Sequence, residues 1–559
     1  MNRGAGIGRS RRTRGACGRR LAIALAALAL PAAAGGQESV RERIAALRIP
    51  ELRFTPAEPR TETVRGVPVY FIRDDQLPLV NFFAVFKGGV RNLARDHFAA
   101  ATAMPGLLRK GGTASLPPDS VDHRIESLAL AMSFGQGGGS ASASVNFLSD
   151  QLEAAVGLWA EMLRAPRFDS LQVELWRETE LERVRRRDDD PASLAYGRFN
   201  RIMYGDHPVG WEMTPEDLEP ADLAEEKLRF VHEAVFCPEN MALGVAGDVD
   251  WKRASALIGR MLSEWPPCSG QLLDDPVPDI RADPGVFVIH RDIEQSVVIL
   301  AHSTSLRQGD TPAYFASRIG NSILGASGLS SRLNTELRTR EGLAYGASSI
   351  WTTSRKNDGI VGAVTRTRPE TTLKAARLLL EVTGSMREAA PTGAEVSRVV
   401  DQAVNGFVFN FGTPSQIVAR GMTYRNLDLP PDWLERYLRG IQRVTPGAVL
   451  DVFQAELEPA RMTFLLLGDT TRFDGSPSEL GAVTVLAEDT PPPARQPLPP
   501  RGSPRFPRSR GTSPRGRNRP GRAAPPARPG PESPAPTWEG SCRPRGAPRP
   551  ASPPAAGCG

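Results

Sequence analysis

The chain has 559 residues, 40% of them hydrophobic and 24% charged, with five cysteines and a formal net charge of +6. The positive charge sits at the ends: residues 1–34 carry seven Arg and no acid, residues 491–559 carry 13 Arg against two acids, and residues 35–490 are left at a net −12. An acidic body of that size allows more than one domain and argues against nucleic acid as its partner.

In chain order, residues 1–34 read as a secretory signal peptide, with an Arg-rich start, an apolar run from Leu21 to Leu30 and small residues up to Ala34. That run is too short to span a bilayer, so no transmembrane span is expected. The expected location is outside the cytoplasm, in the periplasm of a Gram-negative bacterium. The strand–turn–strand passage VYFIRDDQLPLVNFFAVFKGG starts at Val69, and HFAAATAMPGLLRKGGTA, residues 97–114, follows as a first helix closing at Gly-Gly. Between Phe98 and Pro118 there is no His, Asp, Glu or Cys. SFGQGGGSASASVNF resembles a phosphate loop but lacks its Gly-Lys-Ser/Thr ending, and its Ser/Ala alternation suits an exposed strand. Leu152, Val156, Trp159 and Leu163 fall at helical spacing. Further on, ETELERVRRR reads as a charged helix face that includes Glu182.

MALGVAGD at 241–248 ends the first half, and a Pro-rich linker, 262–284, follows. Cys237 and Cys268, the two cysteines of the body, read as ordinary thiols, although an oxidising compartment permits a disulfide. VFVIHRDIEQSVVILAHST from Val286 and MTFLLLGD at 462–469 then repeat the two earlier passages at offsets of 217 and 221 residues. A near-constant offset of that size indicates a duplicated domain, with lobes at 45–261 and 285–487. The second strands of both openings are apolar on both faces, as central strands covered by helices are. In the second lobe, GLSSRLNTELRTREGLAYGASS, residues 328–349, has Leu329, Leu333 and Leu337 as an apolar stripe, a Glu336–Arg340 i,i+4 pair and a stop at Gly342. Residues 491–559 hold 21 of the 50 Pro and almost nothing with which to build a core, so a disordered tail is expected.

The stretch 328–349 closely resembles the C-terminal lobe of the pitrilysin/insulinase family of zinc metallopeptidases. The resemblance runs from about residue 50 to 487. It also takes in GGT at 111–113, RAPRF at 164–168, YGDHPVGW at 204–211, both GD strand ends and LDLPPDWLERYLRGIQRVTP. It implies an α+β fold of two homologous lobes, each a mainly antiparallel sheet packed with helices, in a clam-shell arrangement. By the same resemblance Arg338 binds a substrate carbonyl and Tyr345 donates to that oxygen as it becomes an oxyanion.

In active relatives the first helix carries His-x-x-Glu-His, two zinc ligands on one helical face with the general base between them. Counted back from Gly112-Thr113, those positions fall on Ala103, Gly106 and Leu107, and Glu182 lies near the spacing of a third ligand without partners. No catalytic residue and no metal are therefore expected in this chain. The resemblance implies a non-catalytic subunit of an exported two-chain zinc metallopeptidase. It would contribute Arg338, Tyr345 and half of a peptide chamber, while a homologous partner brings the zinc. The rival is a structural or binding protein of the same fold, similar to the core subunits of the respiratory bc1 complex, with no role in proteolysis.

Overall fold

The computed structural model describes residues 58–280 and 284–487. The expected signal peptide 1–34, the tail 491–559 and the first residues of the 45–261 lobe lie outside the described residues. Strands β1 (Arg60–Val64), β2 (Val67–Arg73), β3 (Leu79–Lys87), β4 (Ala131–Gln136), β5 (Ser140–Leu148) and β6 (Met241–Gly247) form one sheet in the order β1-β2-β6-β3-β5-β4. Strands β7 (Gly285–His290), β8 (Ser296–Thr304), β9 (Ala347–Trp351), β10 (Gly359–Thr367), β11 (Thr463–Gly468) and β12 (Val483–Leu486) form the other in the order β12-β7-β11-β8-β10-β9. Five strands correspond one to one, so the duplication seen in the offsets is a duplication of topology. Pairing is antiparallel except at β2–β6, β7–β11 and β7–β12. The fold is therefore α+β with two mainly antiparallel sheets.

Each sheet has one face on its own lobe's helices. In the first lobe, Phe82, Val145 and Phe147 meet Leu107, Trp159 and Leu163 from the helices Phe98–Lys110 and Leu152–Arg164. In the second, Val298, Leu300 and Val361 meet Phe315, Leu373, Ala376 and Phe453.

The opposite faces are covered by exchange. The first-lobe helix Pro191–Tyr204 lays Leu194, Phe199, Ile202 and Met203 on Val297, Ile299, Leu465 and Leu467 of the second sheet. The second-lobe helix Pro414–Asn426 lays Val418 and Met422 on Ala242 and Ala246 of the first, with Tyr70 and Phe83 beside them. Gly244 makes this approach possible, because a Cβ there would stand 2.5 Å from both Met422 Sδ and Val418 Cγ1. This explains why β6 and β11 are apolar and buried along their whole length.

Three expectations need correction. β5 is not an exposed strand: it runs inside the sheet between β3 and β4, and Ala141, Ala143, Val145 and Phe147 are buried. On the opposite face Ser144 and Asn146 are half-buried and Ser142 is exposed.

Leu329 does not belong to the apolar stripe. Gly328, at φ +73°, turns the chain ahead of the helix and leaves Leu329 66% exposed, while Leu333 and Leu337 are fully buried.

Cys237 and Cys268 are bonded to each other. No local pattern announces the pair, which forms because residues 264–280 fold back along the first lobe as a strap. Trp265 Nε1–H donates to Phe236 O, Cys268 N–H to Glu239 Oε2 and Leu273 N–H to Asn92 O. Arg91 grips Asp275 through two hydrogen bonds of 2.8 and 2.9 Å, His207 Nε2 lies 3.0 Å from Pro276 O, and Ile280 ends in the inter-lobe core.

Candidate functional site

The helix Phe98–Lys110 places Ala103 and Leu107 in the first core, at 0% and 1% exposure. Gly106 faces the helix Ser170–Arg187, where a Cβ would stand 3.1 Å from Trp176 Cδ1 and 3.3 Å from its Nε1. The indole of Trp176 thus covers the position where the resemblance expects the general base. Glu182, further along the same helix, is half exposed and forms an i,i+4 pair with Arg186 at 2.5 Å. A zinc ion needs three or four N, O or S donors converging on one point. A methyl group, a bare Cα, an isobutyl group and a carboxylate committed to a guanidinium do not fit that requirement. Among the described residues the one triad of His, Cys, Asp or Glu within reach of a common ion is Cys237, Glu239 and Cys268, and its two sulfurs are bonded to each other.

The other expected site residues come together. Asn334–Arg340 winds as a π-helix, and its buried Asn334 fixes the following strand. The amide Nδ2 donates to Gly328 O at 3.1 Å and to Ala347 O at 2.8 Å, while Oδ1 accepts from Ala347 N–H at 3.1 Å. The connecting loop bends at Gly342, φ +61°, a conformation that suits glycine. There the Leu343 and Ala344 N–H groups both donate to Leu337 O.

Thr367 Oγ1 donates to Leu343 O and Thr365 Oγ1 to Gly346 O, so the loop is held on both sides of Tyr345. Behind the helix, Arg332 binds Glu395 through two hydrogen bonds and holds its carboxyl down at about 2. The result is a stacked pair: the Arg338 guanidinium carbon lies 5.0 Å from the centroid of the Tyr345 ring, and Tyr345 is 87% exposed. Among the described residues Arg338 has no carboxylate partner and the Tyr345 hydroxyl no hydrogen-bond partner.

Trp176 and Asn334 were not singled out in the sequence. Trp176 gives no signal, being neither ligand nor acid. Asn334 could have been found as a polar residue between Leu333 and Leu337, where a buried amide must have partners.

Residues 222–403, which run from the end of the first lobe through the Arg338–Tyr345 stretch, match the family described as Peptidase M16 inactive domain. That match takes in about a third of the chain. An uncharacterized zinc protease of Mycobacterium leprae is 32% identical over 212 residues, covering 36% of this chain and 45% of that protein. The chain thus spans less than half the length of that relative. The non-peptidase homolog YmxG of Helicobacter pylori is 21% identical over 408 residues, 72% of this chain and 92% of that one.

Among solved structures, a peptidase M16 inactive domain from Pseudomonas fluorescens superposes with a TM-score of 0.67 at 22% identity. It covers 75% of this chain and all of its own. The periplasmic protease PqqL of Escherichia coli superposes at 0.63 with 14% identity, covering 76% of this chain and 50% of its own. Both identities are low enough that the likeness is one of fold. Among the described residues no helix is long and apolar enough to cross a membrane.

Proposed function

We propose that this chain is the non-catalytic subunit of an exported two-chain zinc metallopeptidase and that it grips peptide substrate with Arg338 and Tyr345. The observation that carries the reading is the exposed Tyr345 ring under a guanidinium with no carboxylate partner. A polypeptide carbonyl offers the acceptor that both groups lack. Arg338 donates to the carbonyl in the ground state, and Tyr345 donates as charge develops on that oxygen. The chain overlays half of PqqL, so a second M16 chain supplies a chamber of equal size together with the zinc and its base. Export is supported by the Arg-rich, apolar N-terminal sequence, by the Cys237–Cys268 bond and by the periplasmic description of PqqL.

A second reading keeps the fold and drops proteolysis: a binding or structural protein, favoured by the likeness to the non-peptidase homolog YmxG. One experiment separates the two. The tagged full chain is purified from its own cells, and the chain and any stable complex are analysed for zinc and for cleavage of a casein-derived fluorogenic peptide. The chain alone is expected to hold substoichiometric zinc and to cleave nothing. The complex is expected to contain a His-x-x-Glu-His chain and to cleave in a chelator-sensitive way. A stable complex with no peptidase in it would favour the second reading, and stoichiometric zinc with cleavage by the chain alone would remove both.

A further inference from the structure

Two arginines outside the Arg338–Tyr345 motif stand beside it. Arg366 near the end of β10 and Arg368 just beyond it are both exposed, at alternate positions on the face opposite the buried Thr365 and Thr367. The hydroxyls of those threonines donate to Gly346 O at 2.9 Å and Leu343 O at 2.7 Å, so this end of β10 runs along the loop that carries Tyr345. Arg338 completes the group from the helix side.

Among the described residues none of the three guanidiniums has a carboxylate within ion-pair distance. The acids nearest them feel their charge, Asp190 that of Arg366 and Glu370 that of Arg368, but make their hydrogen bonds to other groups. Asp190 accepts from the Ser193 N–H and hydroxyl, Glu370 from Arg472, Glu341 from Lys374 and Glu336 from Arg340. Three cations without ion-pair partners thus lie on the loop's helix side and along the strand end that holds it, on a body whose net charge is −12.

We propose that the peptide gripped at Tyr345 is acidic, its carboxylates binding Arg366 and Arg368 beyond the carbonyl held by Arg338. This rests on the peptide-binding reading above and deepens it by naming the substrate class. Guanidiniums pair carboxylates with two parallel hydrogen bonds, and a tyrosine face packs against an extended backbone. The same groups suit a polynucleotide, but the negative body repels a long polyanion, while a short acidic segment needs only the local patch.

The test uses the full chain and two fluorescein-labelled peptides of one sequence, one rich in aspartate and its twin with asparagine at those positions, followed by anisotropy. The aspartate peptide is expected to bind about three- to tenfold more tightly at low salt, as two exposed ion pairs allow. The gap should shrink as salt screens the patch. The variant R366Q/R368Q, altered only at exposed positions, is expected to keep its melting temperature and to bind the aspartate peptide no better than the twin.

Equal affinity of the wild-type chain for both peptides would overturn the acidic preference and leave the peptide-binding reading standing. Binding of neither would sink both. A single-stranded oligonucleotide that displaces the aspartate peptide at equal concentration would overturn the proposal in favour of a nucleic-acid ligand.

Discussion

At the scale of single residues, one motif carries the functional reading and two histidines carry the acid response. If Arg338 holds the substrate carbonyl, Arg338→Ala should leave the chain folded and paired while the complex loses activity. Loss of a charge-assisted hydrogen bond costs roughly 1.5–3 kcal/mol, about 10- to 150-fold in kcat/KM. Tyr345→Phe keeps the exposed ring and removes the hydroxyl, so its loss should fall on kcat more than on KM. Steady-state kinetics of the reconstituted complex decide, and unchanged values in both variants would leave the chain a scaffold. The histidines lie one in each lobe. His232 has Nε2 2.7 Å from Leu163 O, and His302 takes the Glu458 N–H on Nε2 while Nδ1 faces Ser303 O. Burial pushes both below the usual histidine value. The unfolded chain therefore binds more protons than the folded one below about pH 6.5, and stability should fall as pH drops from there, by up to about 1.4 kcal/mol per pH unit for each histidine. Urea unfolding between pH 8 and pH 5 tests the sign; a flat profile would mean that these rings protonate without cost.

At the scale of elements, the strap shows what pattern reading reaches and what it leaves. Pro-rich composition marks 262–284 as a connection between the lobes, yet nothing in composition says that the connection docks. Docking depends on partners remote in sequence, Arg91 for Asp275 and Asn92 for Leu273. The same holds for the helix pair at the degenerate metal positions. Ala103, Gly106 and Leu107 are readable as non-ligands, whereas the Trp176 ring over Gly106 exists only once two helices meet. The disulfide clamps the start of the strap, closing a span of 31 residues. Replacing both cysteines by serine should cost about 2–4 kcal/mol, read by urea unfolding, and limited proteolysis should then cut 264–280 before any other segment of residues 58–487. An unchanged midpoint and an unchanged first cut would show that the hydrogen bonds hold the strap without the bond.

At the scale of the whole molecule, the duplication is legible because β6 and β11 are apolar enough to leave the matched passages MALGVAGD and MTFLLLGD. Which sheet each later helix covers is not legible. Leu194, Phe199 and Ile202 have the same helical spacing whether the face they meet belongs to their own lobe or to the other. The exchange makes a strong statement about cooperativity. Without the helix Pro191–Tyr204, the second sheet would expose Val297, Ile299, Leu465 and Leu467, each worth about 1.5–3 kcal/mol of burial. Without the helix Pro414–Asn426, the first sheet would uncover Ala242, Ala246 and Phe83. Neither lobe should therefore be stable alone. The check is to replace residues 281–283 with a protease recognition sequence and cleave the folded protein. The halves are expected to co-elute on size exclusion and to melt in one transition at nearly the temperature of the intact chain. Residues 58–280 expressed alone should lack cooperative unfolding. Halves that separate without denaturant, or that melt in two independent steps, would show that each lobe's own core suffices and that the exchanged helices merely decorate the sheets they cover.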